Sequence, residues 1–197
     1  MIAAKTVLSA LCGAALLAAG PALSAVDQES SRDERVAMAL TTAEQAARQA
    51  GSNIGPDTGR TALADALRVI ERSGARPMPG WTGTDPVPGW RALIPGASGT
   101  VLRGSPLGPG YRSGQIRAGQ SDTFQQVFLS GRKASIALST VGGEPLSLRV
   151  IDAAHKPVCV ADAQRRACRW VPIFTQRYMI EVRNGGQSQA NYFLVVD

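Results

Sequence analysis

Histidine is almost absent from this chain, since His155 is the one histidine among 197 residues. It lies in the segment 152–157 (DAAHKP), whose composition is typical of a turn and predicts an exposed ring. A Ser-His-Asp triad would need this histidine as its base. The sequence also lacks a Gly-x-Ser-x-Gly elbow, a phosphate loop, a dinucleotide fingerprint and a histidine-rich metal motif. The scarcity of histidine and the lack of these motifs predict a protein that is not an enzyme and that holds no cofactor or metal.

One short match to a catalytic motif remains. Ser130-Gly131-Arg132-Lys133 fits Ser-x-x-Lys, which requires serine and lysine on one turn of a helix. Here the four residues stand between two strand-like segments and predict a turn instead. A hydrolase of unrecognised type is therefore the remote alternative.

Long hydrophobic runs are confined to the N-terminus. Lys5 precedes the apolar segment 6–19, Gly20-Pro21 breaks it, and Ala22-Leu23-Ser24 supplies small residues for cleavage after Ser24 or Ala25. This is the pattern of a secretory signal peptide, and the run is too short to span a bilayer comfortably. Residues 1–25 are predicted to be removed, which makes the protein periplasmic or secreted, with no integral membrane segment after cleavage.

Cysteine is also scarce, and removal of the signal leaves two of the three, Cys159 and Cys168. A pair in an exported chain indicates a disulfide. A redox or metal pair is the alternative, but the spacing is not Cys-x-x-Cys and no histidine cluster stands beside it. We expect the disulfide to close a polar turn between two short strands.

Charge is sparse and unevenly placed. Residues 26–75 carry eight acids and six bases, whereas residues 76–197 carry seven acids and fourteen bases. A basic exported surface favours an anionic envelope polymer, anionic lipid head groups or an acidic protein; scattered solubilising charge is the alternative. Nucleic acid is a poor partner, because no recognition helix groups the bases. The first candidate patch is Lys156, Arg165 and Arg166, at an expected hairpin tip.

Residues 26–74 predict a helical arm of two helices. Apolar residues recur at helical spacing in 32–49, which ends at Gly51, and again in a segment that Asp57 or Thr58 caps and that stops at Ser73-Gly74. The arm either packs on the rest of the chain or serves a partner.

Residues 75–110 predict a strap rich in glycine and proline, a composition that excludes a regular helix or a central strand. The strap contains Trp81 and Trp90. These tryptophans either pin an irregular ribbon against the following domain or form an exposed aromatic contact for a sugar or a partner.

Residues 111–197 alternate apolar and polar side chains in several short segments, such as Ala134-Ile136-Leu138 and Tyr178-Ile180-Val182. A period of two buries one face of a strand and leaves the other in water. Gly142-Gly143 and Asn184-Gly185-Gly186 supply turns. The fold class predicted is mainly β, an antiparallel, jelly-roll-like sandwich preceded by the helical arm and the strap.

Turn residues and alternating apolar residues in this same region carry a family resemblance. They are Gly114-Gln115-Ile116, Gly119-Gln120-Ser121, Phe124, Phe128 to Gly131, Leu146, Leu148, Val150, Asp152, Trp170, Pro172, Tyr178, Ile180, Val182, Asn184, Tyr192 and Leu194. In these residues the chain resembles the bacterial pre-peptidase C-terminal domain family. The resemblance implies a jelly-roll-like exported module without catalytic residues, of a kind often appended to secreted hydrolases.

These expectations together predict an exported, non-catalytic binding or accessory module of the bacterial envelope that recognises an envelope polymer or a protein partner. The alternative is a structural or assembly subunit that associates with itself through the helical arm.

Overall fold

The structure, a computed structural model, describes residues 31–52, 56–94, 108–162 and 166–197. The predicted signal peptide, residues 95–107 of the strap and Arg165 lie outside the described residues. In chain order the elements are α1 Arg32–Ala50, α2 Pro56–Ser73, β1 Arg76–Pro77, α3 Val87–Ala92, β2 Gly110–Ile116, β3 Ser121–Phe128, β4 Ala134–Thr140, β5 Leu146–Ile151, β6 Pro157–Ala161, β7 Ala167–Trp170, β8 Gln176–Asn184 and β9 Ala190–Val196.

The strands form two facing sheets. Sheet A has the strand order β1-β2-β9-β4-β7, and sheet B has the order β3-β8-β5-β6. Every pairing among the strands from β2 to β9 is antiparallel. Among the described strands, only the short β1 pairs in parallel, with β2. The predicted fold class, a mainly β sandwich preceded by a helical hairpin, is confirmed.

The predicted alternation places one set of apolar side chains between the sheets. Ile136 from sheet A and Leu148, Ile180 and Val182 from sheet B are fully buried there. Gly114 lies within β2, opposite Tyr192 of β9, and the Tyr192 ring lies over it; a Cβ on Gly114 would sit 2.4 Å from that ring. A larger residue there would displace the ring from the core.

The helices form a third layer on the outer face of sheet A. Phe193 and Val195 face the helices, whereas Tyr192 and Leu194 face sheet B, so β9 is buried on both sides. The sequence pattern predicted one wet face for this strand, and that prediction is wrong. The helical layer removes the wet face.

Polar contacts fix α1 on sheet A. The Thr41 and Ser139 hydroxyls hydrogen-bond at 2.6 Å, and Gln45 Nε2 donates to the Val141 carbonyl at 2.6 Å. Thr41 and Ser139 are both buried, and a buried hydroxyl without a hydrogen bond destabilises the folded state. The bond between them therefore satisfies both hydroxyls. The arm is therefore docked on its own sandwich.

The strap contains a short helix, so the prediction that its composition excludes a regular helix is wrong. Residues Val87–Ala92 form the short helix α3, and Arg76–Pro77 form β1 at the edge of sheet A. Proline is tolerated in the first turn of a helix, where the missing N–H has no intrahelical partner. The same rule corrects the start of α2, which begins at Pro56 with Asp57 in its first turn. The predicted domain boundaries themselves stay predictions.

Candidate functional site

The predicted disulfide is present and joins the two sheets. Cys159 lies in β6 of sheet B and Cys168 in β7 of sheet A, with their Cα atoms 5.8 Å apart. The expected hairpin is wrong, because β6 and β7 are edge strands of different sheets. A disulfide of this kind fits a protein that folds in an oxidising compartment.

Two members of the candidate basic patch, Lys156 and Arg166, lie at opposite ends of β6. Lys156 precedes β6 at the Ile151 end of β5, whereas Arg166 follows it, where its carbonyl accepts from the Leu138 N–H at 2.9 Å. A strand of five residues spans roughly 16 Å, so these two cations do not share one patch. Arg165 lies outside the described residues.

A small cavity of about 150 Å³ opens at the Arg166 end of the sandwich. Its polar lining includes Ser139, Thr140, Glu144, Asp162 and Arg166. One carboxylate oxygen of Glu144, Oε2, is buried with no hydrogen-bond partner among the described residues. The volume suits a few waters and is below that of ordinary ligand pockets.

The two strap tryptophans have different surroundings. Trp90 is 5% exposed, and its ring packs edge-on against Phe193 with centroids 5.8 Å apart. Trp81 is half-buried against the core between the sheets. Trp90 thus anchors α3 to sheet A and offers no surface to a ligand.

The residues that resemble catalytic motifs lie in turns. His155 is exposed in the β5–β6 turn with a positive φ of 60°, and its N–H donates to the Asp152 carbonyl. Ser130 and Lys133 stand in the β3–β4 turn, and the Ser130 hydroxyl donates to the Ile173 carbonyl at 2.5 Å. In the described ranges, no group of three or more His, Cys, Asp or Glu residues could hold a metal ion.

The most exposed apolar surface of the described sandwich was not predicted from the sequence. Ile173 and Phe174, in the β7–β8 loop, are 79% and 70% exposed, and Leu129 in the β3–β4 turn is 55% exposed. We call these three residues the apolar platform. The available signal was the segment 171–174 (VPIF), since connections between strands are usually polar.

Hydrogen bonds between the two loops brace the platform. Ser130 donates through its hydroxyl to the Ile173 carbonyl and through its N–H to Thr175 Oγ1, and the Gly131 N–H donates to the Pro172 carbonyl at 2.8 Å. Gly131 adopts a φ of 71°, which favours glycine in this turn. The two loops therefore hold one another in a fixed arrangement.

Cations surround this end of the sandwich. β3 and β5 both run antiparallel to β8, so the turns that follow them lie at the same end. Five exposed cations and four carboxylates lie at this end, a net of +1. One of the cations, Arg169, pairs with Glu34, and the carboxylate of Asp33 accepts from Ser135. The other four cations, which we call the basic collar, are Arg132, Lys133, Lys156 and Arg177; the other two carboxylates are Asp152 and Asp197.

Two buried tyrosines bind carboxylates elsewhere in the sandwich. Tyr192 donates to Asp122, which also pairs with Arg112 at 3.2 Å, and Tyr111 donates to Asp85 at 2.7 Å. Burial, followed by the hydrogen bond to a carboxylate, raises the pKa of Tyr192 and of Tyr111 well above the ordinary tyrosine value. These pairs connect elements of the fold and lie away from the platform.

No family model and no curated protein matches the chain. Similar solved structures include the pre-peptidase C-terminal domain of a collagenase from Bacillus anthracis, at 13% identity and a TM-score of 0.41, covering 45% of this chain and 89% of that one. They also include PliG from Aeromonas hydrophila, a periplasmic inhibitor of g-type lysozyme, at 11% identity and a TM-score of 0.39, covering 45% of this chain and 84% of that one. One of these structures is therefore of the family that residues 111–197 resemble in sequence. At these TM-scores the likeness carries no argument about function.

None of the helices in the described ranges is both long enough and apolar enough to traverse a bilayer.

Proposed function

We propose that this protein is an exported, non-catalytic binding or accessory module of the bacterial envelope, and that the apolar platform is its contact surface. The observation that carries the proposal is the exposure of Ile173 and Phe174 on loops that hydrogen bonds hold in place. Exposed apolar side chains that cluster on a soluble domain mark an interaction site. A braced surface also loses little conformational freedom on binding.

The platform favours an apolar counterpart over a hydrated polymer. The side chains of Leu129, Ile173 and Phe174 carry no hydrogen-bonding group, whereas recognition of a sugar polymer requires donors and acceptors around an aromatic ring. Trp90, a sequence candidate for such a contact, is buried. Of the two partner classes predicted from the sequence, an envelope polymer is therefore the less favoured and a protein the more favoured.

Export is supported by the signal-like residues 1–25 together with the disulfide between Cys159 and Cys168. We expect cleavage near Ser24 or Ala25. N-terminal sequencing of protein from the exported fraction tests this; a chain still beginning at Met1 would contradict it.

Capture from the envelope tests the proposed contact surface. Tagged exported protein is incubated with a whole envelope fraction that contains membranes, peptidoglycan and proteins, and the retained fraction is measured. We expect Ile173→Ser/Phe174→Ser to abolish retention while the wild type is retained. The matched control is Leu93→Ser/Val160→Ser, which removes two exposed apolar side chains (38% and 52%) that lie outside the platform. Equal retention of the platform variant and the wild type would refute the proposal.

Self-association through the helical arm is a second candidate. An open apolar groove runs between α1 and α2 on the face away from sheet A, lined by Met38, Ala39, Ala62, Ala66 and Val69. Sedimentation of the exported protein tests it. A dimer that Met38→Ser/Val69→Ser converts to a monomer would support the arm as an assembly surface, and a wild-type monomer at all accessible concentrations would exclude it.

A further inference from the structure

We propose that the counterpart of the apolar platform is the surface of an anionic lipid bilayer: Leu129, Ile173 and Phe174 insert between the lipids, and the basic collar binds the head groups. This inference rests on the proposed function, because it names the partner of the same surface. It selects anionic lipid from the three partner classes that the basic charge favours.

The exposure of the platform suits insertion. Ile173 and Phe174 remain 79% and 70% exposed although they follow the buried Pro172, so their side chains project from the loop. A protein partner would need a pocket of matching shape to bury these projecting apolar side chains. A bilayer accepts the same tip without a complementary shape, because the lipids rearrange around it.

Several backbone groups of the two loops are already hydrogen-bonded, as an apolar environment requires. An unsatisfied backbone group is costly at membrane depth. The carbonyls of Pro172 and Ile173 accept from Gly131 and Ser130, and the Ser130 N–H donates to the hydroxyl of Thr175. The platform can therefore leave water with these groups already paired.

The charges behind the platform have the sign that an anionic bilayer attracts. In the described part of the chain, no ion pair with a carboxylate involves Arg132, Lys133 or Lys156, and Arg177 contacts the amide of Gln125. Lysine and arginine near a membrane surface are drawn to acidic head groups. Two acids from the first turn of α1 are engaged elsewhere, since Glu34 pairs with Arg169 and Asp33 accepts from Ser135.

A bilayer also fits the platform better than a protein does. Protein interfaces combine apolar anchors with hydrogen bonds that fix orientation. The three platform side chains offer no such bond. Apolar insertion together with nonspecific charge attraction is the combination that peripheral membrane binding requires.

Vesicle binding tests the inference. Protein expressed from the full-length sequence is purified from the exported fraction, so that residues 1–25 are cleaved as we expect in the cell. It is then sedimented with vesicles of phosphatidylcholine alone, or of phosphatidylcholine with about one third phosphatidylglycerol. We expect binding to the anionic vesicles. Ile173→Ser/Phe174→Ser should weaken that binding by about tenfold or more, because each inserted apolar side chain contributes a large share of the affinity.

Charge variants separate the collar from general basicity. Arg132→Gln/Lys133→Gln should remove the preference for phosphatidylglycerol. Arg117→Gln/Arg183→Gln, which neutralises two exposed cations at the opposite end of β8, is the matched control and should keep the preference. Leu93→Ser/Val160→Ser, which removes two exposed apolar side chains outside the platform and the helical groove, is the apolar control and should bind as the wild type does.

A direct readout of insertion comes from Phe174→Trp. We expect the emission of the new tryptophan to shift to the blue on binding and to be quenched by brominated acyl chains. Failure of the wild type to bind anionic vesicles, or equal binding by the platform variant, overturns the inference. If the envelope fraction still retains the protein through the platform while vesicles do not, the counterpart is a protein or an envelope polymer, and the proposed function stands without the lipid.

Discussion

Cys159 and Cys168 join two strands that share no backbone pairing. Cys159 stands in β6, the last strand of sheet B, and Cys168 in β7, the last strand of sheet A. The disulfide therefore closes one side of the sandwich, where backbone hydrogen bonds between the sheets are impossible. Edge strands are the positions most open to separation and to wrong pairing, so the covalent bond stabilises a vulnerable part of the fold.

We predict that Cys159→Ser/Cys168→Ser lowers the free energy of unfolding by about 2–3 kcal/mol, the value that the chain-entropy model gives for so short a loop. Urea unfolding of the oxidised wild type and the variant measures it. The wild type in reductant is the control and should match the variant. A loss well below about 1 kcal/mol would show that the sheets hold together at this edge without the bond.

Trp90 should contribute much more to stability than Trp81. Trp90 is buried where α3 meets Phe193, and replacing a buried tryptophan with alanine costs about 3–5 kcal/mol. We expect a clearly smaller loss for Trp81→Ala, because Trp81 is half-buried. Urea unfolding of Trp90→Ala and Trp81→Ala compares them. Similar small losses in both variants would mean that the strap is not anchored by Trp90.

Alkaline pH should destabilise the protein through its two buried tyrosines. The pKa of Tyr111 and of Tyr192 is raised, by burial first and then by the bonds to Asp85 and Asp122. In the unfolded chain tyrosine ionises near pH 10, so above about that pH the unfolded state loses protons that the folded state keeps. The contribution to stability is full below pH ~10 and declines above it by about 1.4 kcal/mol per pH unit for each tyrosine.

The double variant Tyr111→Phe/Tyr192→Phe isolates this effect. We expect a lower free energy of unfolding at neutral pH, because two hydrogen bonds are lost, but a shallower decline between about pH 10 and 11.5. Urea unfolding at a series of pH values measures both. The same alkaline slope in the variant and the wild type would contradict the assignment.

The brace between the two loops should control the order of the platform. Thr175→Val removes the oxygen that accepts from the Ser130 N–H at 3.0 Å. We expect faster amide hydrogen exchange at Ser130 and Gly131, with little change in global stability, since the loops are exposed. Gln187→Ala, in an exposed turn outside the brace, is the control. Unchanged exchange in Thr175→Val would show that the bond does not hold the loops.

The candidate site was the part least accessible to sequence reasoning. Arg165-Arg166 and Lys156 look like neighbours because few residues separate them in the sequence. Five of the intervening residues form the extended strand β6, which places Lys156 and Arg166 at its opposite ends. Leu129 and Phe174 are 45 positions apart in the sequence and lie on loops held together by hydrogen bonds that no local pattern reveals.

The sequence by itself determined the strand-forming character of residues 111–197, the helical character of most of residues 32–73, and the identity of the two cysteines that pair. These properties follow from local periodicity, turn chemistry and the count of cysteines. Only the tertiary structure decided that β9 is buried on both faces, that Cys159 and Cys168 bridge two sheets, and that three exposed apolar side chains lie on two loops joined by hydrogen bonds. Those outcomes depend on which strands pair and which layer covers them, and that is settled by contacts between residues far apart in the chain.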